Sequence, residues 1–289
     1  MKRLLCLCLL LAGGCGRQPA RPAAEKPVIF AGIPPIAGLA ERIAGEDAQV
    51  RTLLPPGRSP HDYAPTPRQA AELADAAAFL SVGLPFEQRL EKKLAGACPD
   101  LKIFHLGDHI ARRRGEKKGT PDPHVWLSPE NARKLAAEIR RALSEIDPAH
   151  ADDYRKRFEA LDAELQETDA YIRKLLAPYR GRAFYVFHPS FGYFADAYGL
   201  RQKAVEFQGK EPSARRLAAW VEQARRDRIR TLFIQRGFPD KTVKVMAAAL
   251  RARVETLDPL ARDLPRNFRE IAEKLAASFR ESAAAGTER

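Results

Sequence analysis

Residues 147–179 read DPAHADDYRKRFEALDAELQETDAYIRKLLAPY. No glycine or proline interrupts the segment between Ala149 and Ala177, and Tyr154, Phe158, Leu161, Leu165, Tyr171 and Leu175 recur at roughly helical spacing. At ~1.5 Å per residue such a helix spans about 40 Å, more than most helices within one domain need. A coiled-coil arm would need a sustained a/d pattern, which the segment lacks. The segment therefore reads as a helix that runs between two domains.

The flanking sequence has the same character on both sides. Upstream, PVIFAGI, AQVRTLL, AAFLSVG and LKIFHLG read as strands. They alternate with the helical patterns PIAGLAERIAG, TPRQAAELAD and PFEQRLEKKLAG, and a longer helix, SPENARKLAAEIRRALSEI, closes the series. Thr66 before Pro67 and Ser128 before Pro129 are N-cap signals. Downstream, AFYVFH, RQKAVEF, TLFIQ and ARVETLD alternate with FGYFADAYG, SARRLAAWVEQARRD (capped by Ser213) and DKTVKVMAAALRA. A last helix runs from about Pro265 to Ala284. A βαβα series gives a mostly parallel sheet flanked by helices. The expected fold is α/β in two lobes, residues 27–146 and 179–289, joined by one long rigid helix over 147–178.

The chain has 289 residues, 45% hydrophobic and 30% charged, enough to bury a substantial core. Its formal charge of +12 is spread along the chain, and no stacking platform or motif for nucleic acid accompanies it. The N-terminus, MKRLLCLCLLLAGGCG, has two basic residues, a short apolar run and small residues before Cys15. That is a secretory signal over residues 1–14, too short to span a membrane. Residues 15–26 follow as a Pro- and Ala-rich tether. With Cys6 and Cys8 leaving in the signal, Cys15 and Cys98 remain, and no intramolecular disulfide is expected.

In open α/β sheets, ligands bind beyond the carboxyl ends of the strands. Four metal-competent side chains fall there: His61, His124, His188 and Asp258. Each is adjacent to a proline: Pro60, Pro123, Pro189 and Pro259. Three imidazoles and one carboxylate suit tetrahedral Zn²⁺, whereas Mn²⁺ favours more oxygen. Four protein ligands fill the shell, which favours holding a metal over catalysis. No Glu beside a ligand histidine forms a hydrolase motif. His105 and His109 form a separate His-x-x-x-His pair, and His150 reads as solvent-facing. Asp258 alone is also compatible with capping the turn before Pro259.

The motifs PGRSPHDYAPTPRQ, DPHVWLSPENA, FHPSFGYFADAYGL with QGKEPS, and TLDPLA resemble the metal-binding solute-binding proteins of bacterial ABC importers, the zinc and manganese uptake cluster. The small residues before Cys15 resemble a bacterial lipobox, which implies a diacylated Cys15 and a periplasmic or cell-surface, membrane-anchored protein. The family resemblance implies metal bound between two lobes by His61, His124, His188 and Asp258, and delivery to a membrane permease with a cytoplasmic ATPase. It implies no enzymatic activity. The third histidine resembles zinc-type members; a Mn²⁺ or Fe²⁺ receptor and a metal-dependent surface adhesin are the alternatives. The sequence departs from the family in three places. The stretch before His124, DHIARRRGEKKGTPDPH, is short and basic where many zinc-uptake members carry a long His-rich loop. Ser128 and Pro189 stand where aspartates are common.

Overall fold

The computed structural model describes residues 26–115, 119–206, 213–235 and 240–287. The signal segment, Cys15, nearly all of the tether and most of QGKEPS lie outside the described residues.

Among the described residues, eight short strands form two four-stranded parallel sheets. In the first lobe β1 (Val28–Ala31), β2 (Gln49–Thr52), β3 (Ala78–Ser81) and β4 (Lys102–His105) lie in the order β2-β1-β3-β4. In the second, β5 (Ala183–Val186), β6 (Arg201–Ala204), β7 (Thr231–Ile234) and β8 (Arg253–Thr256) repeat it as β6-β5-β7-β8. The central strands are mostly apolar, as burial on both faces requires, and all four residues of β3 are buried. The strand order reverses between β1 and β3, and again between β5 and β7. Each reversal opens a crevice at the carboxyl end of its sheet.

The helices begin where the sequence marks them. At α2 (Pro67–Ala74), Thr66 Oγ1 accepts the Gln69 N–H at 3.3 Å, while Gln69 Oε1 accepts the Thr66 N–H at 3.0 Å. At α4 (Pro129–Ile146), Ser128 Oγ accepts the Asn131 N–H at 3.2 Å. Ser213 occupies the N-cap of α7 (Ala214–Arg226) with extended backbone, but its hydroxyl accepts no cap bond. The other lobe helices are α1 (Pro34–Ala44), α3 (Pro85–Leu94), α6 (Gly192–Tyr198) and α8 (Asp240–Leu250). The chain closes with α9 (Leu264–Thr287).

The long helix is α5 (Ala151–Leu176), with a 3₁₀ turn at each end. Its 26 residues rise about 39 Å. Its buried stripe is Tyr154, Leu161, Leu165, Thr168, Ile172 and Leu176. Beyond Leu165 this lies one position later than the apolar pattern predicts: Tyr171 is exposed and Leu175 only partly buried. The stripe passes through the polar Thr168, whose hydroxyl accepts from Arg269 Nε at 3.2 Å. An apolar count cannot see that step.

One continuous core joins Ile29, Phe79, Leu135, Leu161, Ile172, Phe194, Phe268 and Leu275, residues of both lobes with α5 and α9 between them. A smaller cluster of Tyr185, Phe187, Leu232, Val243 and Met246 fills the outer side of the second sheet. Each fully buried Leu or Phe at the shared core resists exposure by about 1.5–3 kcal/mol. The lobes are therefore welded along α5 and α9. The loop from β8 to α9 also crosses α1 closely. A Cβ on Gly38 would lie 1.9 Å from the Arg262 carbonyl oxygen, so this crossing requires glycine.

Candidate metal centre

The loop after β2 leaves the sheet through two further parallel bonds, Leu53 N–H to Ala31 O and Leu54 N–H to Gly32 O. Tyr63 Oη and Gln69 Nε2 both donate to the Leu53 carbonyl, at 2.6 and 2.9 Å, and anchor the loop's return. His61 lies between these anchors. His124 lies between β4 and α4, followed by the fully buried Val125, Trp126 and Leu127. His188 is two residues past β5. Gln235 clamps its backbone, accepting the His188 N–H at 3.2 Å and donating to its carbonyl at 2.7 Å.

The three imidazoles meet. His61 Nε2 is 2.9 Å from His188 Nε2, and His188 Nε2 is 3.4 Å from His124 Nε2. Among the described residues they form the one group of three or more His, Cys, Asp or Glu side chains whose ligand atoms all lie within 4.8 Å of one another. Zn–N bonds of ~2.0–2.1 Å at tetrahedral angles place neighbouring nitrogens about 3.4 Å apart. The His188–His124 pair already has that spacing.

Carboxylates fix two of the three rings. His124 Nδ1 donates to Asp122 Oδ1 at 2.8 Å, and His188 Nδ1 donates to Glu206 Oε2 at 2.8 Å. An ionised carboxylate only accepts, so each Nδ1 carries the proton and each Nε2 turns a lone pair inward. His61 Nε2 then donates to His188 Nε2 across the short 2.9 Å gap. For His61 to bind the same ion, its proton must move to Nδ1 and its ring must retreat by about half an ångström, given tetrahedral spacing.

The electrostatics favour neutral rings at His61 and His124. Burial pushes the His61 imidazole down to about 4, with the neighbouring His188 and His124 adding to the shift. The residue as a whole is exposed, so this depression belongs to the ring tip facing the other two imidazoles. Burial also lowers His124, against the opposing pull of Asp122. Burial alone would raise Asp122, but its bonds to His124 and Arg113 hold it below the ordinary carboxylate range. Neutral imidazole is the metal-binding form.

Asp258 lines the same cavity of about 420 Å³ between the lobes. It is not in the converging set. Its Oδ1 accepts the Leu260 N–H at 2.8 Å, which is the turn-capping role the sequence also allows. The rim is tied across the lobes by Trp126 Nε1, which donates to the Pro259 carbonyl at 2.7 Å, and by Arg262 Nε, which donates to Glu41 Oε2 at 2.6 Å. His105 and His109 are exposed and outside the cluster, and His150 pairs with Asp147 Nδ1-to-Oδ2 at 2.6 Å.

Sequence reasoning missed Asp122, Glu206 and Gln235. Asp122 had a local signal, two residues before His124 in DPH. Glu206 and Gln235 had none, because they reach His188 from neighbouring strands, 18 and 47 residues away.

Comparison with known proteins is consistent across sequence and structure. A family model described as zinc-uptake complex component A, periplasmic, matches residues 29–281. A putative metal-binding protein of Treponema pallidum (strain Nichols) is 29% identical over 236 residues, covering 76% of this chain and 75% of its own length. The high-affinity zinc uptake system protein ZnuA of Paracoccus denitrificans (strain Pd 1222) is 30% identical over 249 residues, covering 73% of this chain and 76% of its own length. A crystal structure of ZnuA superposes with a TM-score of 0.83 at 36% identity, covering 88% of this chain and 99% of that one.

Proposed function

The chain belongs to the family of periplasmic zinc-uptake complex component A, and on that premise we propose that it is a metal receptor that captures one Zn²⁺ between its lobes and delivers it to an ABC permease with a cytoplasmic ATPase. The observation that carries this reading is the meeting of three Nε2 atoms, two from the first lobe and one from the second, inside an interlobe cavity. His61, His124 and His188 are the proposed ligands. Asp258, on the cavity wall, supplies the fourth by turning its carboxylate from Leu260 toward the ion. Mn²⁺ and Fe²⁺ rank below zinc at a nitrogen-rich set. The relative named for high-affinity zinc uptake supports that order.

The receptor performs no chemistry on its cargo. Diacylation of Cys15 would hold it at the outer face of the membrane, with the tether through residue 26 giving it reach. The test is metal content of the purified, stripped and reloaded mature protein, with Zn²⁺ and Mn²⁺ offered together at equal concentration. One zinc per chain is expected. A preference for Mn²⁺, or no retained zinc, refutes the zinc assignment.

A further inference from the structure

The stretch before His124 carries three arginines in a row, Arg112, Arg113 and Arg114, where a His-rich loop would offer ligands. The middle one is placed differently from its neighbours. Arg113 is half-buried, while Arg112 and Arg114 are exposed. Its Nη1 donates to Asp122 Oδ2 at 2.8 Å, and the other oxygen of that carboxylate accepts from His124 Nδ1. Its Nε donates to Asp196 Oδ2 at 2.9 Å, and Asp196 belongs to α6 of the opposite lobe. Its backbone N–H donates to the hydroxyl of Tyr193, also on α6, and that hydroxyl donates in turn to the Asp122 carbonyl at 3.3 Å.

The α6 N-terminus closes over this pair without clearance. A Cβ on Gly192 would fall 1.9 Å from Arg113 Nη1 and 2.8 Å from Asp122 Oδ2. Any other residue there would displace the Arg113 guanidinium from this seat.

We infer that Arg113 is a positioning residue that ties closure of the two lobes to the aim of His124. The inference rests on the receptor reading above. One arm of the guanidinium holds the buried Asp122, and the other reaches an Asp196 that is 60% exposed. The exposed arm is the weaker, since solvent screens it. It parts first when α6 moves away. Movement of α6 also removes the Tyr193 hydroxyl and admits water to the Arg113–Asp122 pair. The carboxylate that aims His124 Nε2 then loses the contacts that fix it, and the ion loses a ligand. Lobe movement at α6 is thereby converted into metal release without a wide opening of the cleft.

The test is the rate at which a strong chelator strips zinc from the loaded full-length mature chain, followed by stopped flow. Arg113→Gln should release zinc at least ~10-fold faster, the scale for losing an outer partner of a metal-bound histidine. Asp196→Asn, which leaves Arg113 and Asp122 in place, should speed release about two- to fivefold, the ceiling for an exposed pair. The double variant should be no faster than Arg113→Gln, because both residues act in one chain. Arg113→Lys should restore part of the loss, since an ammonium can hold one carboxylate but not fork to two. Arg114→Gln, the same charge change one residue on, should release zinc at the parent rate. An unchanged rate in Asp196→Asn overturns the inference, whether or not Arg113→Gln folds. So does full additivity in the double variant. A parent chain that holds no stoichiometric zinc would instead refute the receptor reading, and the loading step of the same experiment reads that directly.

Discussion

Replacing Glu206 by glutamine isolates what the carboxylate behind His188 contributes. The two side chains are 9% and 8% exposed, and their atoms meet at 2.8 Å. Glutamine keeps the length, and its amide oxygen can still accept the Nδ1 proton, so His188 keeps its tautomer. What is lost is the charge on the acceptor, which makes such a bond roughly twice as strong as a neutral one. The ring also becomes a poorer electron donor to the ion. Outer-partner losses of this kind cost 10–100-fold in metal affinity, or ~1.4–2.8 kcal/mol at a factor of ten per ~1.4 kcal/mol. Competition against a chromophoric zinc chelator at pH 7.5 measures the change, and the thermal melt of the metal-free protein checks the fold. Glu206→Ala should lose more than Glu206→Gln, because it removes the acceptor as well as its charge. A dissociation constant within twofold of the parent in a folded Glu206→Gln protein would refute the reasoning. The carboxylate would then be a structural neighbour of His188 and no part of its hold on metal.

Three further outcomes are expected. His61 at about 4 and a lowered His124 both bind protons less readily folded than unfolded, where histidine titrates near ~6.5. Metal-free stability should therefore be fully present above about pH 6.5 and fall as pH drops from there toward 4, and zinc affinity should fall as the imidazoles protonate; metal-free stability that stays flat from pH 6.5 to 4 would contradict depressed imidazoles. Gly38→Ala, with its Cβ 1.9 Å from the Arg262 carbonyl oxygen, should destabilise by ~1–3 kcal/mol in urea titration, and a loss below about 0.5 kcal/mol would mean the α1 crossing is not tight. The continuous core predicts a single calorimetric unfolding transition, raised by ~2.7 kcal/mol when free zinc is 100-fold above its dissociation constant; two resolved transitions would contradict a core shared by the lobes.

The alternation of strands and helices was legible because strand residues and cap residues are local signals. Thr66 with Gln69, and Ser128 before Pro129, set helix starts with side chains within three residues. The position of the three histidines in the segments that follow β2, β4 and β5 was legible for the same reason. Their meeting at 2.9 and 3.4 Å was not, because it depends on how two sheets face each other across α5. Glu206 and Gln235 reach His188 through β6 and β7, which pair with and neighbour β5 only in the folded sheet. The buried stripe of α5 slipped by one residue because Thr168 is polar and yet fully buried. In each case the information missing from the local sequence is tertiary: which faces meet, and which polar atom a buried side chain finds there.

A shared core and a releasable metal are compatible because they act on different length scales. Unzipping α5 and α9 from both lobes would expose Leu161, Ile172, Phe268 and Leu275, each fully or almost fully buried, at about 1.5–3 kcal/mol apiece. Release does not require it. A coordinate bond of ~2.0–2.1 Å is lost on a displacement of about one ångström. The site sits at the rim, held across the lobes by the Trp126–Pro259, Arg262–Glu41 and Arg113–Asp196 contacts, while the weld lies along the helices behind it. A partner that pulls on the rim therefore works against a few hydrogen bonds, two of them between partly exposed side chains. On the receptor reading the second lobe contributes one imidazole and the Asp258 loop, so a slight twist draws those away while the parting of Arg113 from Asp196 loosens the aim of His124. Too few fixed ligands then remain to retain the ion against an acceptor, and the welded core restores the closed geometry once the partner leaves.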